Sequence, residues 1–172
     1  MKKLLLQLAL GLMMSVATVA LYAQHPDSLF EAEKEAIRRV IANETETYYR
    51  QDFEGWKSNF VNTDYFRQYG YWEGFPEKVQ YFNGFDTLQQ FKRLQFEENR
   101  TIWKGSYEKR LHENFRISPE MAWYTFEQES YDGATHQFLG RSLETRILEK
   151  HNGQWKIAYL AYHYFPMDDN KK

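Results

Sequence analysis

From about residue 105 to residue 165 the chain is a succession of four long runs in which polar and apolar residues alternate, and this stretch constrains the fold most. The runs cover about 105–117, 121–131, 137–150 and 154–165. Alternation is the two-residue period of strands, whose successive side chains point to opposite faces. Ser118-Pro119-Glu120 reads as a turn. Asp132-Gly133 and Asn152-Gly153 are dipeptides of the kind that close tight hairpins. Strands joined by such short links form an antiparallel meander, and one face of it needs a cover.

The cover comes first in the chain. Ser28 and Glu31 have the spacing of a capping box, which predicts a helix from there to about Gln51. At 100° per residue, Phe30, Ile37, Val40, Ile41, Glu44 and Tyr48 fall on one stripe. Asp52 is placed to cap a second, short helix containing Trp56 and Phe60. Residues 64–72 and 78–83 read as extended. Asp86 is expected to cap a third helix, with Leu88, Phe91, Leu94 and Gln95 on one face. Helices followed by a meander make an α+β arrangement. No repeat, low-complexity segment or interdomain linker interrupts it.

Residues 1–23 have the form of a secretory signal peptide. Lys2 and Lys3 precede an uncharged apolar stretch that closes on Ala23. Residues 24–165 are then the folded domain and 166–172 a polar tail. The chain has no cysteine, so it has no disulfide, thiolate metal site, cysteine nucleophile or lipobox. The expected address is periplasmic or secreted, with no membrane contact after cleavage. A net charge of −2 argues against nucleic acid as a partner, since coating a polyanion needs a basic excess. The 31 aromatics (13 Phe, 13 Tyr, 5 Trp) supply enough surface to order the chain. They also exceed what a small core needs, which points to aromatics lining a cavity or an interface. No two of the five histidines have helical ligand spacing, and there is no phosphate-binding glycine loop, so neither a metal nor a cofactor is expected.

The landmarks resemble those of the nuclear transport factor 2-like superfamily, in its SnoaL-like and ketosteroid-isomerase-like branches. The resemblance covers about residues 30–165. It rests on Ile37, on Asp52 at the helix junction with Phe60 eight residues later, and on Gly84-Phe85-Asp86. Ala122-Trp123 and Asn152-Gly153-Gln154-Trp155-Lys156-Ile157 complete it. It implies a cone-shaped curved antiparallel sheet wrapped around three N-terminal helices, an α+β roll of cystatin-like type. The mouth of such a cone often holds a small apolar ligand, and dimers through the sheet are common. A homodimer through the sheet is therefore expected.

Glu44 is the leading functional candidate. A carboxylate in an apolar stripe is directed into a pocket or paired in the core, because a lone buried charge is costly. The resemblance also aims it into the cone: isomerase-like members carry a carbonyl-polarising tyrosine eight residues before the junction Asp. The family's proton-shuttling Asp would fall on Gln68, which is no base, and of the residues near its second acid only Glu144 is acidic. Among the strands, Trp123, Thr125 and Glu127 share a face, as do Glu144 and Arg146. Trp155, Ile157, Tyr159, Ala161 and His163 share another. If those faces line the cone, Glu127, Arg146 and His163 meet Glu44 there, and His163 joins Glu44 as a candidate acid or base. The ligand-binding candidates are Tyr48, Trp56, Tyr69, Trp123, Glu127, Arg146 and Tyr159. Three readings stay open: a binder of a small, partly apolar molecule, a lyase or isomerase on the same scaffold, and a non-catalytic dimeric interaction module.

Overall fold

The computed structural model of the chain describes residues 26–73, 79–98 and 105–166. The expected signal peptide (1–23) and residues 167–172 of the tail lie outside the described residues. The chain divides into two compact units, Met1–Glu35 and Ala36–Lys172. What is described of the first is helical, with Lys34 Nζ bonded to Glu31 Oε1 at 2.8 Å and lying 4.5 Å from the Phe30 ring centre. The core and the site described below belong to the second unit.

The elements run α1 (Pro26–Tyr49), α2 (Phe53–Lys57), β1 (Arg67–Trp72), β2 (Val79–Asn83), α3 (Phe85–Glu97), β3 (Tyr107–Ile117), β4 (Met121–Tyr131), β5 (Phe138–His151) and β6 (Gln154–Pro166). Six strands form one curved sheet in the order β2-β1-β6-β5-β4-β3. The meander β3 to β6 is antiparallel throughout. β1 pairs with β6 in parallel, so the whole sheet is mixed. The four expected strands and three expected helices are all present; α1 and α3 start elsewhere than expected, and α2 ends at Lys57, short of Phe60. α1 begins at Pro26, ahead of the expected start at Ser28. α3 is preceded by Gly84 at φ 84°, which puts Asp86 inside the first turn, where its charge favours the helix N-terminus.

Asp52 caps α2 as its spacing predicts, its Oδ1 accepting from Gly55 N at 2.8 Å. A Cβ on Gly55 would lie 2.2 Å from Asp52 Oδ2, so only glycine fits under the cap. Asn152 and Gly153 both have positive φ, 51° and 78°, as a two-residue hairpin turn requires. Asp132-Gly133 does not make such a turn. The link runs from Asp132 to Gln137, held by Asp132 N to Gln137 O at 2.8 Å, with Asp132 Oδ1 accepting from the backbone of Ala134 and Thr135.

The core is aromatic. Trp56, Phe60, Phe66 and Phe85 interlock, with ring centres 4.8 Å apart for Trp56–Phe60 and 5.4 Å for Phe60–Phe85. Ile37 and Ile41 from α1 and Ala122, Tyr124, Leu148 and Ile157 from the sheet are fully buried with them. Each such large apolar side chain contributes about 1.5–3 kcal/mol by leaving water.

Register faults decide which residues face the helices. In β3 the pairing to β4 shifts between Leu111 and Asn114. In β6 it shifts between Ile157, opposite Leu148, and Tyr159, opposite Ile147. One extra residue, Ala158, is inserted there. A bulge of one residue exchanges the two faces of the strand beyond it. Trp155 and Ile157 point inward before it, and Leu160 and Tyr164 are buried after it.

Candidate functional site

Beside the aromatic core the inner sheet face leaves a cavity of about 140 Å³. α1 contributes Glu44, Thr45, Tyr48 and Tyr49, α2 contributes Trp56, and α3 contributes Lys92 and Gln95. The strands add Gln68, Trp72, Gln80, Gln128, Ser130, Ser142, Glu144, Arg146, Leu160, Tyr162 and Tyr164, and Phe60 completes the lining. The space is close to that of a 150 Å³ protein cavity that holds benzene, so it admits one small ring. One wall is a polar relay in which Trp72 Nε1 donates to Tyr162 Oη at 2.8 Å and Tyr162 Oη donates to Gln80 Oε1 at 2.8 Å. Gly70 makes room for that relay, since a Cβ there would lie 2.2 Å from the Tyr162 ring.

Glu144 and Arg146 alternate inward along β5, and both are nearly fully buried. Arg146 Nη1 donates to Glu144 Oε2 at 2.7 Å, and Ser142 Oγ donates to the other carboxylate oxygen. Burial raises the Glu144 pKa, with Arg146 opposing it. Lys92 is partly exposed as a residue, but its ammonium lies in the cavity wall, 4.4 Å from the Tyr48 ring centre. Lost hydration lowers its pKa to about 8, against the pull of Glu44. The Tyr48 hydroxyl is raised by burial, with the Glu44 charge adding to it.

Glu108, on the inner face of β3, stands behind two hydroxyls that line the cavity. Tyr49 Oη donates to its Oε1, and Ser130 Oγ donates to its Oε2 at 2.8 Å. Burial pushes the Glu108 pKa up to about 7 despite those donors. A carboxyl titrating near neutrality beside a cavity is suited to giving or taking a proton. Further along β3, Glu113 bonds Arg38 at 3.0 Å and accepts from Tyr124 Oη; burial raises its pKa, but those hydrogen bonds and the charges of Arg38 and Arg110 bring it below its ordinary value. That pair joins α1 to the sheet. Among the described residues no group of three His, Asp or Glu side chains is placed to hold a metal ion.

No protein-family model matches the sequence. No curated protein matches it either. Solved structures do match. A protein of unknown function with a cystatin-like fold from Nostoc punctiforme superposes with a TM-score of 0.60 at 13% identity, over 79% of this chain and 93% of that one. A nuclear transport factor 2-like protein of unknown function from Pseudomonas putida gives 0.59 at 14% identity, over 81% and 91%. The chain has a nuclear transport factor 2-like fold. A candidate dehydratase of the nuclear transport factor 2-like family, from Streptomyces avermitilis, gives 0.57 at 14% identity, over 80% and 98%.

Within this fold Glu44, Tyr48, Trp56 and Arg146 all line the same cavity. So does Gln68, 4% exposed, at the position where the resemblance places a proton-shuttling Asp. Tyr69, Trp123, Glu127, Tyr159 and His163 do not join them. Tyr69 and Trp123 are 43% and 51% exposed and alternate with inward residues of β1 and β4, so they lie on the outer face. Glu127 is on that face as well, 3.1 Å from His112. Tyr159 and His163 follow the Ala158 bulge and point outward with Tyr69, whose ring centre is 6.0 Å from that of Tyr159. His163 packs on Tyr71 and Phe165 and lies 3.8 Å from Glu73.

Sequence reasoning missed Lys92, Glu108 and Gln95 as site residues. α3 is turned so that Leu88, Lys92, Gln95 and Phe96 face inward, and Leu94, expected on that face, is 52% exposed. Glu108 sits in a strand that is polar on both faces, so alternation gives no direction for it.

Proposed function

We propose that this chain is an exported nuclear transport factor 2-like domain that binds a small, partly apolar molecule in its inner cavity. The observation that carries this reading is the cavity's charge. A domain selected for stability alone would fill about 140 Å³ with apolar side chains. This one directs Glu44, Lys92 and the Glu144–Arg146 pair toward it, although burying charge costs stability. Such a trade is expected where the groups serve a ligand. The test is thermal stability of the protein against a panel of ring-sized molecules, with Glu44→Gln alongside. A ligand that binds the folded state must raise the melting temperature, and the rise should shrink in the variant. A panel that shifts neither protein counts against the reading. The lysine-led apolar start supports export, and mass spectrometry of periplasmic material should find a chain beginning near Gln24.

A second reading, acid–base catalysis in the same cavity, is favoured by Glu108. Its two oxygens accept from Tyr49 and Ser130, whose hydroxyls line the cavity, so in this reading Glu108 takes the role that His163 was expected to fill beside Glu44. Turnover of a stabilising ligand, lost in Glu108→Gln, is the outcome expected of an enzyme. The outer sheet face supports pairing of two copies, since Met121, Trp123 and Leu143 are each about half exposed there. Sedimentation of the protein and of Trp123→Asp tests that pairing.

A further inference from the structure

We infer that the cavity takes a small monocarboxylate with an apolar, ring-sized body, its carboxylate received by the uncommitted edge of Arg146 together with Lys92. This rests on the binding reading above and names the class of ligand.

Arg146 is 5% exposed. All its hydrogen bonds to described residues leave from Nη1, to Glu144 Oε2 at 2.7 Å, Thr145 O at 3.2 Å and Ala161 O at 3.5 Å. Nε is buried with no acceptor. A guanidinium presents its donors in a fixed planar fork, so the edge formed by Nε and Nη2 is a second two-pronged donor. The Phe126 ring, 5.7 Å from the guanidinium carbon, packs against it. A buried donor left unpaired is costly, and two parallel N–H donors fit the two oxygens of a carboxylate. Lys92 adds a second cation to the same cavity. It meets the rings of Tyr48 and Phe91 but no hydrogen-bond acceptor among the described residues.

Size and charge narrow the class. The apolar walls are Trp56, Phe60 and Leu160, and the volume suits one ring. The two cations already face Glu144 and Glu44. One added negative charge shifts the local sum by one, whereas a dianion would load it with two in a poorly hydrated space.

The test is a titration of the full chain with benzoate, benzamide and benzylamine, three probes of one size. The indole N–H resonances of Trp56 and Trp72, both on the cavity wall, report binding. Benzoate is expected to bind about tenfold or more tightly than benzamide, and benzylamine more weakly still. Arg146→Lys keeps a cation beside Glu144 and loses the planar edge. Lys92→Gln leaves every hydrogen bond of Glu144 in place, so it carries the test if Arg146→Lys does not fold. Each should lower benzoate affinity about tenfold and that of benzamide by a smaller factor, so that the preference for benzoate shrinks. Benzamide or benzylamine binding as tightly as benzoate would overturn the carboxylate assignment and leave the cavity a binding site. If none of the three moves the indole signals, the assignment and the binding reading both fall.

Discussion

Each face of the sheet departs from the usual rule for a folded domain at several positions. Toward the helices β5 carries Ser142, Glu144 and Arg146, all at or below 7% exposure, while its outer face carries Leu143 at 47%. In β4 the inward Tyr124 is fully buried and its neighbour Trp123 is 51% exposed. Apolar character alone therefore did not choose the inner face. The informative observations are the buried charge and the exposed aromatic. Burial of charge around a cavity points to a ligand, and exposure of Trp, Met and Leu on an open sheet points to a covering partner.

Inserting one alanine between Tyr159 and Leu160 attacks this division most directly. One added residue in the pleat exchanges the faces of the strand beyond it. Leu160, Tyr162 and Tyr164 would turn outward, and Ala161 and His163 inward. The loss should exceed about 5 kcal/mol, comparable with the whole stability of an ordinary domain. The expected outcome is the absence of a cooperative melting transition. An insertion variant that melts like the parent would show that alternation beyond Ala158 does not set the faces.

The neighbours Tyr124 and Trp123 give the next largest contrast. Tyr124 stacks on Phe115 at 4.2 Å and Phe126 at 4.6 Å between ring centres, and its hydroxyl bonds Glu113. Tyr124→Ala should cost about 3–5 kcal/mol in urea unfolding, the range for large aromatic truncations. Trp123→Ala in dilute protein should cost less than about 1 kcal/mol, because half of that ring is already in water. If the outer face pairs two copies, Trp123→Ala should also abolish any rise of the melting temperature with protein concentration.

Those contrasts mark what could be read from the sequence. Element order was legible because alternation, turn dipeptides and the Asp52 cap are local signals. Glu44 was legible because a carboxylate stands out in an apolar helical stripe. Glu144 and Arg146 were correctly grouped on one face, since β5 carries no bulge between them. The face of β6 was not legible beyond Ala158. The apolar run Trp155, Ile157, Tyr159, Ala161 continues the odd-numbered pattern straight through the bulge, so parity predicted His163 inside. In β4 both faces carry aromatics, so alternation separated Trp123 from Tyr124 without saying which faces the helices. Lys92 resembles any solvent-facing helical lysine until the rotation of α3 is known.

A pH experiment separates the faces with a smaller effect. Glu108 is raised from its ordinary 4.5 to about 7 by burial. An acid with a raised folded pKa binds more protons when folded. Its contribution to stability is full below the unfolded value and is lost as pH rises toward 7. That loss is about 2–3 kcal/mol. Glu108→Gln keeps an acceptor for Tyr49 and should flatten the stability profile between pH 4.5 and 7 by that amount. An unchanged slope would place the titrating group elsewhere.

The smallest effect belongs to the outer ion pair, and it completes the comparison. Glu127 Oε1 lies 3.1 Å from His112 Nδ1, but the histidine side chain is 75% exposed and the glutamate 32%. Water and salt screen such a pair, and exposed pairs contribute about 0–1 kcal/mol. The inner pair differs in burial, with Glu144 and Arg146 side chains at 5% and 6% exposure and 2.7 Å between them. Removing one partner there leaves an unpaired buried charge and should cost about 3–5 kcal/mol. Glu127→Gln should therefore change the unfolding free energy by less than about 0.5 kcal/mol at pH 6, and that small change should vanish in 0.5 M salt. A loss of several kcal/mol that survives salt would mean that the outer face is itself buried in the working protein. The exposed aromatics around Glu127 would then be the first place to look for what covers it.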